Sequence, residues 1–202
     1  MQSFIEHART LGRRIAQNTQ QRAQFGRLAA GQSPMALFVT CSDSRVIPSL
    51  ITGARPGDLF ELRTAGNAVP HYDERRPSGE SATIEYAVDM LEVPDIIVCG
   101  HSHCGAVRAR VHGEDLTTVP AVASWLDAQL PHGLDALGHD GDPGVHEAVQ
   151  RNVRVQLDRL RAYPCVDKRL ADGRLRLHGW FYAVDTGLVL THHPVLDAFL
   201  PL

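Results

Sequence analysis

Apolar residues recur along this chain in two alternating spacings, one typical of buried strands and one typical of amphipathic helices. Short apolar runs flanked by Pro and Gly predict three strands, at 35–40, 58–63 and 95–100. Spacing of about 3.6 residues predicts four helices after and between them, at 79–91, 104–111, 120–130 and 145–162. A Gly/Pro/Asp/His loop is expected over 131–144. Strands that alternate with helices predict an α/β fold with a mostly parallel sheet covered on both faces.

Both ends of the chain add to this pattern. Residues 174–184 and 188–191 predict a last pair of strands, joined by a hairpin turn at Asp185-Thr-Gly187. Residues 3–30 have helical spacing that ends near Gly31, and Pro34 prevents its continuation. We expect this N-terminal helical arm either to face the core or to pack on a second subunit. At 202 residues, the chain is expected to form a single domain over 1–202.

Composition excludes several classes of function. The formal net charge is −3, so no basic field favours nucleic acid or an anionic membrane as partner. No apolar run approaches the roughly 20 residues that span a bilayer. Polar residues interrupt the first 14 positions, which argues against a secretory signal and predicts a cytoplasmic protein. The chain has only four cysteines, which we expect to be reduced.

Two short motifs carry the candidate chemistry, and each follows a predicted strand. They are Cys41-Ser-Asp43-Ser-Arg45 and His101-Ser-His-Cys104. Two thiolates and one neutral imidazole suit Zn²⁺, and three protein ligands leave one position open, as in catalytic zinc sites. The alternative is a pair of buried cysteines with a chance histidine. Asp43 and Arg45 are either catalytic or a structural ion pair, and Asp43 is also a candidate fourth ligand that closes the site.

The chain resembles the β-class carbonic anhydrases along nearly its whole length. The resemblance rests on the two motifs above together with these segments: Gly31-Gln32-Ser-Pro34, Arg55-Pro-Gly-Asp58, Arg63-Thr-Ala-Gly-Asn67, Glu85-Tyr-Ala-Val88 and Gly179-Trp-Phe-Tyr182. It implies a four-stranded parallel sheet with an antiparallel edge strand, and a homodimer or higher homo-oligomer. It also implies site residues: Cys41, His101 and Cys104 as ligands of one zinc ion per chain, Asp43 and Arg45 as a catalytic dyad, and Gln32, Phe60, Ala65 and Tyr86 as the lining of a small substrate pocket, built partly across a dimer interface.

The implied activity is the reversible hydration of carbon dioxide to bicarbonate through a zinc-bound hydroxide. A bound Zn²⁺ lowers the pKa of water from about 15.7 toward about 7. Because two thiolates formally neutralise the metal, we expect this site to acidify water less than the three-histidine site of another carbonic anhydrase class. Activity should therefore rise from neutral to alkaline pH. Asp43, held by Arg45, would orient the nucleophile, and Gln32 could donate an N–H to the oxygen that becomes bicarbonate.

Two alternatives to this activity stay open at the level of sequence. Hydrolases of carbonyl sulfide or carbon disulfide use the same scaffold, and a non-catalytic zinc-stabilised binding domain would result if Asp43 closed the site. Members of the family that bicarbonate regulates use a Trp-Arg-Tyr set to bind it. Here Arg63 and Tyr182 are present, but Phe38 stands in the place of the Trp and lacks an indole donor, so we expect no such regulation.

Overall fold

A computed structural model describes residues 1–135, 142 and 144–202 of the chain. The described residues divide into an N-terminal unit, Met1–Ser33, and a larger unit, Pro34–Leu202. Half of the loop predicted over 131–144, residues 136–141 and 143, lies outside the described residues. None of the described helices combines the length and the apolar character that a membrane crossing requires.

The N-terminal unit consists of two helices, α1 (Gln2–Gln17) and α2 (Thr19–Leu28). The single helical pattern predicted over 3–30 is therefore broken once. The break lies at Asn18, which has an extended backbone and whose side chain accepts a hydrogen bond from the N–H of Gln21. An Asn side chain competes for backbone donors in this way, and it starts the second helix as its N-cap.

The larger unit is built on a sheet of six strands within the described residues. In chain order these strands are β1 (Ala36–Cys41), β2 (Leu59–Thr64), β3 (Asp95–His101), β4 (Arg176–Tyr182), β5 (Val189–His193) and β6 (Ala198–Pro201). Their order in the sheet is β2-β1-β3-β4-β5-β6. The first four are parallel to one another, and β5 and β6 are antiparallel. The mostly parallel sheet is confirmed, with β6 as a second antiparallel strand that sequence analysis missed.

Helices connect and cover these strands. They are α3 (Pro48–Thr52), α4 (Gly79–Glu85), α5 (Gly105–His112), α6 (Pro120–Gln129), α7 (His146–Arg161) and α8 (Pro164–Ala171). The helix predicted over 79–91 is α4 continued by a π-helical turn at Tyr86–Met90. The helices α3 and α8 were not predicted from the sequence; α3 has only five residues, which is too short to establish a helical period.

Both faces of the central strands are buried. On one face, Leu37 of β1 and Ile96 of β3 join a core with α7 and α8; on the other, Phe38 and Ile97 pack with Ile51 of α3. Helix α7 approaches β3 very closely, since a Cβ built on Gly100 would lie 2.6 Å from Val149 Cγ1. Such a contact is below van der Waals distance, so only glycine fits there. The close packing fixes the strand end immediately before His101.

Candidate metal centre

Three potential metal ligands meet where neighbouring parallel strands end. Cys41 is the last residue of β1, His101 is the last residue of β3, and Cys104 is the N-cap of α5. Because β1 and β3 pair in parallel, their carboxyl ends lie at the same edge of the sheet. One sulfur or nitrogen atom from each residue lies within 4.8 Å of the other two. All three residues are buried.

Hydrogen bonding fixes the tautomer of His101. Nδ1 lies 2.9 Å from the carbonyl oxygen of Ser102. A carbonyl can only accept, so Nδ1 carries the proton and Nε2 presents a lone pair. Nε2 is buried and has no hydrogen-bond partner among the residues described. A buried imidazole nitrogen left without a partner is costly unless something binds it, and a metal ion does so.

The two thiols behave as a coupled pair. The Sγ atoms of Cys41 and Cys104 are 4.0 Å apart. The pKa of Cys41 is lowered despite its burial, chiefly because Cys104 donates to its sulfur and further because the backbone N–H groups of Gly66 and Asp43 stabilise its thiolate. The pKa of Cys104 is raised in turn, because it keeps the shared proton and is buried. A cation would displace that proton and leave two thiolates.

The distance between the two sulfur atoms matches the distance expected for two cysteine ligands of one zinc ion. Two thiolates at about 2.3 Å from a tetrahedral zinc ion would lie about 3.8 Å apart. The observed 4.0 Å is close to that separation. The donor set, two sulfurs and one imidazole nitrogen, is also one that zinc prefers. Three ligands leave the fourth tetrahedral position for a small molecule.

Asp43 and Arg45 form a two-point ion pair beside this site. Arg45 donates from Nε to Oδ1 at 2.9 Å and from Nη2 to Oδ2 at 2.7 Å, and its backbone N–H also reaches Oδ1. These bonds hold the pKa of Asp43 well below its ordinary value. Nη2 of Arg45 also donates to the carbonyl of His103 at 3.0 Å, which ties the pair to the segment that carries the other two ligands. His103 itself is exposed.

Arg63 stabilises the loop that carries Cys41 and Asp43. Its guanidinium donates to the carbonyl oxygens of Cys41, Asp43 and Val46 at 2.8–3.2 Å. The planar fork of arginine is suited to bridging several acceptors at once. Arg63, which lies on the neighbouring strand β2, therefore holds the turn from β1 to α3 in place.

The predicted substrate-pocket residues fall in three places. Ala65 follows β2 directly and lines a cleft of about 350 Å³ together with Ser42 and Trp125. Phe60 and Tyr86 contact each other, with ring centroids 5.9 Å apart. Thr64 is the residue of β2 that pairs with Cys41, and Phe60 lies four positions before it. Four residues of a strand span roughly 13 Å. One subunit therefore does not bring Phe60 to its own Cys41. Gln32 is exposed and belongs to the N-terminal unit.

Comparison with known proteins identifies the family to which this chain belongs. The carbonic anhydrase family model matches residues 36–189. The chain belongs to the carbonic anhydrases. A carbonic anhydrase of Pseudomonas aeruginosa is 48% identical over 168 residues, which cover 82% of this chain and 76% of that protein.

Solved structures place the chain in the β class of carbonic anhydrases. The structure of the β-carbonic anhydrase CcaA is similar over 100% of this chain and 99% of that one, with a TM-score of 0.89 and 39% identity. Tetrameric β-carbonic anhydrases of Sordaria macrospora are similar over 94% of both chains, with a TM-score of 0.76 and 30% identity. β-Carbonic anhydrases use zinc, and Cys41, His101 and Cys104 lie close enough together to be its ligands.

The groups that support these ligands from a distance were not predicted from the sequence. Asn152 and Gln156 are fully buried in α7, and Asn152 Nδ2 donates to the carbonyl of Gly66 at 2.9 Å. Both amides fall on the same helical stripe as Val149 and Val153. Polar residues on an otherwise apolar stripe are a sequence indication of buried hydrogen bonding, and that indication was present here.

Proposed function

We propose that this protein interconverts carbon dioxide and bicarbonate at a zinc ion held by Cys41, His101 and Cys104. The observation that carries the proposal is the buried Nε2 of His101, which has no hydrogen-bond partner among the described residues and lies beside two sulfurs 4.0 Å apart. A bound zinc ion supplies a Lewis acid that makes water a nucleophile near neutral pH. Three ligands leave room for that chemistry, whereas a structural site would have four.

In this proposal, Asp43 orients the attacking water and Arg45 holds Asp43. The depressed pKa of Asp43 keeps it ionised at neutral pH, so its side chain can only accept hydrogen bonds. An acceptor at this position fixes where the proton of the water points, and hence directs the oxygen lone pair toward the carbon of the substrate. Arg45 binds both carboxylate oxygens and so limits the rotation of the Asp43 side chain.

We further propose that a second subunit completes the substrate pocket. Phe60 and Tyr86 pack against each other away from the Cys41 of their own subunit, and Tyr86 is 45% exposed, whereas Phe60 is partly buried. A partly exposed aromatic pair of this kind suits an apolar wall for a neutral, linear substrate on a partner. Gln32 would offer an amide N–H to the oxygen that becomes bicarbonate.

The N-terminal arm is proposed to pack on the partner subunit of a homodimer or higher oligomer. Within the N-terminal unit, α1 has a strongly apolar face that includes Phe4, Ile5 and Leu11, and no residue of α1 is buried. Exposed apolar faces of this kind mark interaction surfaces. The tetrameric relatives of Sordaria macrospora are consistent with an assembly of this chain. We propose that the assembly is cytoplasmic and acts on carbon dioxide or bicarbonate, with no nucleic acid or membrane partner.

Parallel assays of carbon dioxide hydration and carbonyl sulfide hydrolysis test the proposed substrate. The zinc-loaded protein is compared with the same preparation after chelation and after zinc is restored. We expect carbon dioxide hydration that chelation abolishes and zinc restores, with much slower release of sulfide from carbonyl sulfide. Faster carbonyl sulfide hydrolysis would assign the site to a sulfur-substrate hydrolase. Tightly bound zinc with hydration at the uncatalysed rate would instead indicate a structural metal site.

A further inference from the structure

A single peptide group connects the indole of Trp125 to the sulfur of Cys41. Trp125 Nε1 donates to the carbonyl oxygen of Ala65 at 3.0 Å. The N–H of the same peptide belongs to Gly66, and its hydrogen bond to the sulfur of Cys41 is one of the causes that lower the pKa of that thiol. In a trans peptide the C=O and N–H point in opposite directions, so the indole and the sulfur lie at opposite edges of one planar, rigid peptide group.

Buried groups hold this peptide in place. Gly66 adopts a left-handed conformation, with φ 75° and ψ 23°. Its carbonyl accepts from Asn152 Nδ2 at 2.9 Å, and Asn152 Oδ1 accepts from Gln156 Nε2 at 2.8 Å. Both amide side chains are fully buried. A Cβ added at Gly66 would lie 3.2 Å from the side chain of Leu130, so little room is left for the turn to move.

We propose that Trp125 is a positioning residue that acts through the Ala65–Gly66 peptide to draw negative charge from the Cys41 thiolate. The proposal rests on the proposed zinc site. A hydrogen bond accepted by a peptide carbonyl polarises the peptide and strengthens its N–H as a donor. A stronger donor at a ligating sulfur reduces the charge that the sulfur gives to the metal. The hydrogen bond would thereby offset part of the charge neutralisation that two thiolates impose on zinc. A bound zinc ion would then be a stronger Lewis acid than it would be without this hydrogen bond.

The substitution Trp125→Phe tests the role of the indole N–H, because it keeps an aromatic ring and removes the donor. The matched control is Trp180→Phe, which changes the other tryptophan of the chain, one that packs edge-on against Phe38 at 6.0 Å. Both variants and the wild type are loaded with Co²⁺ in place of zinc. We expect the sulfur-to-cobalt charge-transfer band of Trp125→Phe to move to longer wavelength, because its thiolate is richer in electrons. We also expect the zinc-loaded variant to lose about 3- to 10-fold in kcat.

Two results overturn the inference while leaving the zinc site intact. One is a folded Trp125→Phe protein, shown by circular dichroism, whose cobalt band and kcat match those of the wild type and of Trp180→Phe. The other comes from wild-type protein loaded with ¹¹³Cd, in which a donated N–H···S bond should give scalar coupling between the metal and the Gly66 amide proton. That measurement needs no variant, and its failure rejects the inference even if Trp125→Phe does not fold. A wild type that binds no metal rejects the proposed function and this inference together.

Discussion

The carboxylate of Asp43 lies 3.9 Å from Nε2 of His101, although its hydrogen bonds go to Arg45. It is therefore close enough to contact anything bound at Nε2 while being held by another residue. This arrangement suits an acceptor that orients a water molecule. We propose that these bonds to Arg45 also keep Asp43 from taking the fourth metal position itself.

The substitution Asp43→Asn should separate metal binding from activity. We expect full zinc content with carbon dioxide hydration reduced about 100-fold or more, because the amide lacks the charge and the acceptor oxygen that orient the nucleophile. Metal analysis and stopped-flow hydration on the same preparation measure both quantities. Wild-type rates in a zinc-replete variant would show that Asp43 is only structural.

Substitutions at Arg45 should reduce activity in graded steps. Arg45→Ala removes both bonds to the carboxylate, and we expect a loss similar to that of Asp43→Asn with zinc retained. Arg45→Lys keeps the charge but not the two-point geometry, so its loss should be smaller. Arg108→Ala, which removes an exposed ion pair to Glu114, is the control and should leave kcat unchanged. Equal rates in all three variants would remove Arg45 from the mechanism.

Bicarbonate should not switch this enzyme off cooperatively. Phe38 is fully buried against Trp180 and has no donor, and Arg63 is hydrogen bonded to three loop carbonyls. Phe38 therefore offers an anion no hydrogen bond, and Arg63 is already engaged with the loop. Rates measured against pH at fixed ionic strength, with and without added bicarbonate, should differ only by product inhibition. Sigmoidal inactivation by bicarbonate would contradict this expectation.

An ion pair at the opposite end of the sheet should give a pH-dependent contribution to stability. Arg176 donates two hydrogen bonds to Asp95 at 2.7 Å and, with His178, lowers its pKa. A carboxyl with a lowered pKa stabilises the fold above its ordinary value near 4 and loses that contribution as the pH falls below it.

The substitution Asp95→Asn measures that contribution. We expect the variant to unfold at lower urea concentration than the wild type at pH 7. The gap should narrow as the pH is lowered below about 4, because the unfolded wild-type chain then takes up a proton at Asp95 that the native ion pair opposes. Hydration activity should be unchanged at pH 7. A gap that is the same at both pH values would mean that the ionised carboxylate is not what stabilises this end of the sheet.

The strands and the ligand motifs could be predicted from local sequence, because each depends on residues that are close together in the chain. The apolar run before Cys41 predicts β1. Because the ligand motif follows that run directly, the sequence also predicts that the site lies at the edge of the sheet where β1 ends. The five-residue helix α3 is too short to be found by periodicity. The strand β6 is short and half exposed, with Pro201 at its end, so it lacks the pattern of a buried strand.

The supporting groups could not be predicted, because their partners are distant in sequence. Trp125 contacts Ala65 across 60 residues, and Asn152 contacts Gly66 across 86. The polar side chains were visible in the sequence, but no local rule identifies the carbonyl that each one binds. The same applies to Phe60 and Tyr86, whose contact with each other only the fold reveals.

Metal content and hydration activity in a matched pair of cysteine variants test the central claim most directly. Cys104→Ser removes a proposed ligand, whereas Cys165→Ser changes a buried thiol in α8 outside the ligand cluster. We predict about one zinc ion per chain in the wild type and in Cys165→Ser, with matching hydration rates. Cys104→Ser should lose both its zinc and its activity, because loss of a thiolate ligand weakens binding greatly. Full zinc content with full carbon dioxide hydration in Cys104→Ser would contradict the account.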